Sequence, residues 1–518
     1  MKKDTIPQKS IVMILIMALI IAVVQALPAT NIVRPSIFAV GIISFFVLVY
    51  IVRKDNPERS ADKIILWMVF FGALMRMGFV LFNDIYTLQN DGGTYTGFGT
   101  PDINNGHIGY AEYIYKFFHI PDMDPYDHFG YYHPPLHHII EAIWLTIQRL
   151  LGIPEAVRFE NMQVLTFVYS SLCMVVMYLI LKEIFEEKEL DLRTYVPGMA
   201  LFAFYPRMMV LAGSVNNDIL ALLLLLCTIW RILVWIREKS FKNILLIALS
   251  LGFGMLSKLN TAICAFSIAV IFLVVFITRI MSKDMKAIRE IVLEYVLFGV
   301  VVIPLGLSYI VRNIVLFGEK PGIPSPALIP EQSVMFTGDY SVWSIIGIPT
   351  ISDLHIEFPF HPISAAAMHN TWAIMFQTGL FAEAYPTTIS EPLLMVARVA
   401  YVSSIIAAIV TTIVFFVSFI RKIISDKGNL NLKTLFLLTT YAFMLISFGL
   451  FVFKYPYTCS SDFRYMAACL VFTSVGFIYA VKNGKSDIRG KILSVVTSLS
   501  IALTLCGSLI VYMFWELN

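Results

Sequence analysis

Apolar runs long enough to cross a bilayer recur along nearly the whole chain, at 11–27, 36–52, 63–82, 159–181, 195–212, 217–236, 241–257, 260–278, 290–311, 393–420, 434–453, 465–481 and 492–515. A hydrocarbon core about 30 Å thick takes roughly 20 helical residues, and it leaves no place for lipid-exposed irregular backbone. The pattern therefore predicts an all-α polytopic membrane protein with about thirteen transmembrane helices. A fourteenth run, 136–151, is shorter and is interrupted by His137, His138, Glu141 and Gln148. Whether it spans decides the topology of everything after it.

Loop charge separates the alternatives. With 136–151 on the membrane surface and the N-terminus cytoplasmic, the inner loops hold Arg53, Lys54, Lys182, Arg237, Lys242, Arg279, Lys286, Arg421, Lys433, Lys482 and Arg489. The short outer connections then carry almost no Lys or Arg. A spanning 136–151 would move every later basic loop outside, against the positive-inside rule. We therefore expect an interfacial amphipathic helix there, with the C-terminus outside. Two long segments fall on the outer side, 83–158 and roughly 312–392, and loops of that length are usually functional or disordered. Lys2, Lys3 and Lys9 before the run Ile11–Leu27 resemble a signal peptide, with Ala26 or Ala29 as a cleavage point. A second run follows within ten residues, so a retained first span is expected.

Composition agrees with lipid as part of the solvent. Of 518 residues, 58% are hydrophobic and 14% charged, against about 25% charged in an ordinary soluble domain. The mean hydropathy is +0.78. A net charge of +3 gives no reason to expect a nucleic-acid partner. The cysteines are scattered, most of them inside apolar runs, so they read as small hydrophobes without a disulfide framework.

Polar chemistry gathers at the outer ends of the spans. The first long loop contains Asp84, Asp91, Asp102, Glu112, Asp122, Asp124 and Asp127, with six of the nine histidines: His107, His119, His128, His133, His137 and His138. A carboxylate near a low-dielectric surface suits a general base, although any single one is more often a solvated loop acid. Arg76, Arg158, Arg207, Asn216, Asn217, Asp218, Lys258, Arg312, Asn313, Asp462 and Arg464 also map to outer ends. A lone cation there usually snorkels to headgroups. A whole set on the leaflet poor in basic loops suits an anionic lipid headgroup such as a phosphate or diphosphate. The histidines show no H-x-x-x-H or H-E-x-x-H spacing, so we assign no metal site or cofactor, and a divalent metal remains the lesser alternative.

Tyr132-His133-Pro134-Pro135-Leu136 resembles the H-P-P-L motif of protein O-mannosyltransferases and is similar to the K-P-P-L of aminoarabinose lipid A transferases. Further resemblances follow in that family's order. Arg158 opens the next span. Asn217-Asp218-Ile219-Leu220 is similar to a D-x-L element, and Gly252 to Lys258 to G-x-x-x-L-T-K. Arg312-Asn313 with Phe317-Gly318 is similar to R-N-x-x-x-F-G, Leu380 to Glu383 to L-F-G-E, and Asp462-Phe463-Arg464-Tyr465 to D-x-R-Y. The chain thus resembles the GT-C superfamily of polyprenyl-phosphate-sugar-dependent glycosyltransferases. One departure is the start of the first loop, where protein O-mannosyltransferases carry Asp-Glu and this chain has Asn83-Asp84 and Asn90-Asp91. That argues against a protein Ser/Thr acceptor.

The resemblance implies a GT-C fold organised as two N-terminal anchoring spans (1–60), a catalytic membrane module (61–320) including the loop 83–158, a second external loop (321–391) and C-terminal spans (392–518). It implies inverting transfer of a sugar from a lipid phosphate donor to an acceptor glycan, lipid or protein, on the extracytoplasmic face of the cell membrane. Asp91 is expected as base with Asp84 as the alternative. Lys258, Arg312, Arg464 and Arg158 are expected to hold the donor phosphate. His133, Asn217, Asp218, Glu383, Asp462 and Tyr465 are expected to line the substrate, with Glu383 and His369 in a loop placed over the acceptor. A transporter or flippase of an anionic lipid-linked substrate is the competing class. A transporter would show repeats and a midplane site, and neither is visible.

Overall fold

The computed structural model describes residues 5–27, 32–54, 57–85, 106–125, 128, 130–185, 191–318, 347, 359, 370–382, 389–425, 431–484 and 487–514. Among them there is no β-strand. In chain order the helices are α1 (Ile6–Ala26), α2 (Val33–Lys54), α3 (Pro57–Phe82), α4 (Gly106–Phe117), α5 (Leu136–Leu150), α6 (Glu155–Glu160), α7 (Gln163–Phe185), α8 (Leu192–Phe204) and α9 (Pro206–Gly213). Then come α10 (Asp218–Arg237), α11 (Phe241–Ser257), α12 (Ile263–Met281), α13 (Met285–Phe317), α14 (Thr371–Phe381), α15 (Glu391–Ser425), α16 (Leu432–Lys454), α17 (Leu470–Asn483) and α18 (Ile488–Phe514).

Among the described residues, 11 helices are long and apolar enough to cross a membrane, and a bent pair raises the number to 12. The pair is α8 and α9, which meet at 48°. Pro206 explains the break, because it pushes Tyr205 out of helical geometry, to an extended φ −66° and ψ 127°. The expected span 241–257 is α11, which at 17 residues falls short of that length. Each run read from hydrophobicity is helical, and 136–151 forms the separate helix α5.

The chain divides into two compact units that interleave along the sequence. The first comprises Met1–Leu190, Leu211–Pro324 and Asp426–Phe443. In it α10 packs between α7 and α11, α11 lies along α13, and α3 joins α1, α2 and α7. In α2 only 6% of the spanning window is buried, against 72% in the α6–α7 span, so α2 offers lipid nearly its whole surface. At the ends of α7 and α10 that carry basic loops, Arg237 donates to both Glu183 oxygens, at 2.7 and 2.9 Å. Lys433 adds a bond to the Glu183 carbonyl at 2.8 Å.

The second unit comprises Asp191–Val210, Ser325–Ser425 and Met444–Asn518. Here α15 packs on α17 and α18, and α17 on α8. The closest approach uses Gly476 on α17, where a Cβ would land on the carbonyl of Thr411. Gly476→Ala should therefore force α15 and α17 apart at a cost on the order of 1–3 kcal/mol. Thermal unfolding in detergent should show a lowered midpoint, and an unchanged midpoint would refute so close a helix contact.

Candidate active site

In the first unit, two helix ends meet. α10 begins at Asp218 and its antiparallel neighbour α11 ends at Ser257, so Lys258 stands where α11 stops. A carboxylate at a helix N-terminus and an ammonium at a C-terminus each complement the macrodipole. Lys258 Nζ donates to Asp218 Oδ1, and both residues are buried. The backbone around them is stitched: Asn217 Nδ2 donates to the Ser257 carbonyl at 2.8 Å, and Ser257 Oγ to the Asn217 carbonyl at 3.3 Å. The Asp218 N–H donates to Asn216 Oδ1 at 3.0 Å. Two motifs 40 residues apart in sequence therefore form one charged station. Lys258, expected to face a phosphate, already holds a carboxylate.

The H-P-P-L turn is built on the first-loop helices. Gly130, at φ +86°, lets the chain pass 3.2 Å from the Gly106 backbone as measured from an added Cβ, so a larger residue is excluded there. The turn ends at Pro135, which precedes α5 and suits the helix start, where no N–H partner is needed. His133 stacks on His107 with ring centroids 5.3 Å apart. His107 Nδ1 and His138 Nε2 share a hydrogen bond at 3.0 Å, and His138 stacks on Tyr110 at 4.2 Å. Burial pushes His107 and His138 well below the usual histidine range; His133 and His137 add to the effect on His107, which Asp218 opposes. His137 is pushed down to about 3 by burial, with Asp218 pulling the other way. Burial thus disfavours the cationic form of all three imidazoles.

The R-N element braces this module. Tyr309 OH donates to the Tyr131 carbonyl at 2.6 Å and accepts from Tyr110 OH at 3.3 Å. Arg312 donates to the Pro121 carbonyl and, at 3.0 Å, to Asn313 Oδ1. Its guanidinium stands over the rings of Tyr309 and Phe317. Arg158 donates to the Ile153 carbonyl at 3.1 Å and lies 3.7 Å from Glu155, so its bonds tie the α5–α6 corner. Asp84 lies exposed just after α3, beside Ile85, whose N–H reaches Glu160 at 3.4 Å. Asp91, Glu383 and His369 lie outside the described residues.

The D-x-R-Y element belongs to the second unit. Asp462 accepts two bonds from Arg207 Nη2, at 3.1 and 2.9 Å, and both side chains are buried. Asp462 Oδ1 also accepts from the Arg464 N–H at 2.7 Å, which caps the short helix Phe463–Cys469. The Arg464 guanidinium lies over the Tyr465 ring at 5.7 Å. Arg207 is a residue that sequence reasoning placed at an outer end but left out of the site. The usable signal was the carboxylate of Asp462 in an apolar setting, which demands a cation. Tyr309 was missed because no motif names it, and His107 and His138 were named only among the first-loop histidines, without a role. Among the described residues no group of three metal-ligating side chains converges.

Residues 133–304 match the family model described as dolichyl-phosphate-mannose-protein mannosyltransferase. The match opens on the H-P-P-L histidine and encloses Asp218 and Lys258. It supports the GT-C superfamily. Among solved structures, the chain is similar to the Archaeoglobus fulgidus oligosaccharyltransferase in complex with zinc and sulfate, at 11% identity and a TM-score of 0.44. That alignment covers 87% of this chain and 53% of the other, so this chain spans about half the archaeal protein's length. ArnT from Cupriavidus metallidurans, bound to undecaprenyl phosphate, aligns at 11% identity and a TM-score of 0.39, over 85% of this chain and 75% of that one. No curated protein sequence matches the chain.

Removing one member of the Asp218–Lys258 pair should leave a buried uncompensated charge. Lys258→Met should lower stability by about 3–5 kcal/mol, and the added change Asp218→Asn should restore most of it. Thermal unfolding of the two single variants and the double variant checks this. A loss that the double variant does not recover would mean the pair carries little of the fold.

Proposed function

We propose that the chain transfers a sugar from a polyprenyl-phosphate-type donor to an acceptor hydroxyl or amine on the outer face of the membrane, with inversion. The observation that carries this reading is the union, in one unit and inside the matched segment, of the H-P-P-L turn with the Asp218–Lys258 station. The description of the family model that residues 133–304 match names a dolichyl-phosphate sugar, which supports a lipid-linked donor in general terms.

In this reading a first-loop carboxylate, Asp91 or alternatively Asp84, removes the acceptor proton as the sugar gains oxocarbenium character. The phosphate leaves as an anion and needs cations rather than an acid. Lys258 exchanges Asp218 for the phosphate, and Arg312 supplies a second cation from the end of α13. A lysine held by a carboxylate before the donor arrives is positioned without being solvated, so the exchange replaces one ion pair by another.

Purified protein incubated with a panel of polyprenyl-phosphate sugars should consume one of them, followed by mass spectrometry. Asp91→Asn should abolish that loss while leaving donor binding nearly intact, and full activity would remove Asp91 from the mechanism. Arg312→Ala should slow transfer or weaken donor binding about tenfold, as expected for one charge-assisted bond. The outer placement has its own test, in a background lacking Cys459 and Cys506. A cysteine at Lys116 should react with a membrane-impermeant thiol reagent on intact cells, and one at Lys283 only after permeabilisation. The opposite labelling would sink the orientation.

A further inference from the structure

The inward face of α5 carries polar atoms that no role above uses. His137 and Glu141 sit one helical turn apart, both fully buried. Among the described residues, neither nitrogen of His137 and neither carboxyl oxygen of Glu141 has a hydrogen-bond partner, and Nε2 lies 3.9 Å from Oε1. The helix meanwhile turns Ile143, Ile147 and Leu150 outward. A carboxyl group held this way is unfavourable for the fold, since burial without a partner loses hydration and gains nothing. Its retention beside the H-P-P-L turn calls for a use.

The neighbours say which. Asp218 acts electrostatically on His137 and on His107, and α5 packs against α11, whose end carries Lys258. The other groups around the pair are His138 on α5 itself, His107 and Tyr110 on α4, and Tyr169 on α7, which senses Glu141. Burial raises Glu141 well above the usual carboxylate range and lowers His137, so it favours the uncharged form of both.

We infer that Glu141 and His137 are positioning residues for the Asp218–Lys258 pair. In this role a neutral Glu141 carboxyl closes the 3.9 Å gap, donates to Nε2 of His137 and so fixes the imidazole hydrogen on Nδ1. That N–H then serves the Asp218 carboxylate when Lys258 turns to the lipid phosphate. Without such a neutral donor, Asp218 would lose an interaction in the exchange and compete with the phosphate for Lys258. No proton changes hands, because the acid and the imidazole stay uncharged throughout. The inference rests on the proposed phosphate-binding reading, and it adds two residues that the family motifs do not name.

The test compares Glu141→Gln with Glu141→Leu. A glutamine amide still donates to Nε2, whereas leucine cannot. Affinity for undecaprenyl phosphate alone, in detergent, should fall about tenfold in E141L and stay within about threefold in E141Q. Where transfer is measurable, E141L should raise KM for the lipid donor with kcat little changed. The wild type should lose donor affinity as pH rises through the Glu141 pKa, and E141Q should not. E141L should melt no lower than the wild type, because an unpartnered buried carboxyl has been removed. Equal loss in E141Q and E141L, unchanged affinity in E141L, or a lowered melting point tracking the lost affinity would overturn the proposal. If the unmodified protein binds undecaprenyl phosphate but consumes no sugar donor, the transferase reading fails while these comparisons still decide the role of Glu141.

Discussion

A charge inside a lipid-embedded helical unit must find its partner within the protein, because the surrounding hydrocarbon offers none. The Asp218–Lys258 pair satisfies that constraint by placing opposite charges at opposite helix ends, where each macrodipole already favours them. Much of the first unit follows from it. α10 and α11 must run antiparallel and in contact, and the Asn217–Ser257 bonds hold their ends in register. The same helix closes at its far end with Arg237 on Glu183. Its 20 residues span about 30 Å. One helix thus carries a partnered charge at each end, with a mostly apolar stretch broken by Arg231 between them.

The loop module is fastened to this frame by hydrogen bonds to backbone carbonyls. Tyr309 and Arg312, at the end of α13, reach backbone carbonyls of Tyr131 and Pro121 rather than side chains. Carbonyl anchors fix where the chain runs, so the H-P-P-L turn is placed by its backbone before any histidine does chemistry. The stacked rings of Tyr110, Tyr131, His107 and His138 then fill the space beneath it. Neutral imidazoles pack there without the desolvation cost of a cation, which leaves charge concentrated on Asp218, Lys258 and Arg312.

The second unit solves a similar problem differently. Asp462 meets Arg207 in a buried pair and uses one oxygen again to cap the turn that presents Arg464. A motif read as a row of substrate contacts therefore divides its labour. The acid shapes the backbone, and the arginine two residues later lies over an aromatic ring.

Hydrophobic period and length determined the all-helical class and nearly every span, because lipid leaves one local solution for backbone hydrogen bonds, and loop charge set 136–151 apart. Ordered motifs singled out Asp218, Lys258, Arg312 and Asp462. Only the tertiary structure decided how they are spent. Lys258 is bound to Asp218, Arg312 braces a loop, Arg207 answers Asp462, and α5 turns His137 and Glu141 inward. The reason is range. Helix formation is settled within a few residues, whereas these pairings join positions 40, 191 and 255 residues apart, and which partner wins depends on the packing that brings them together.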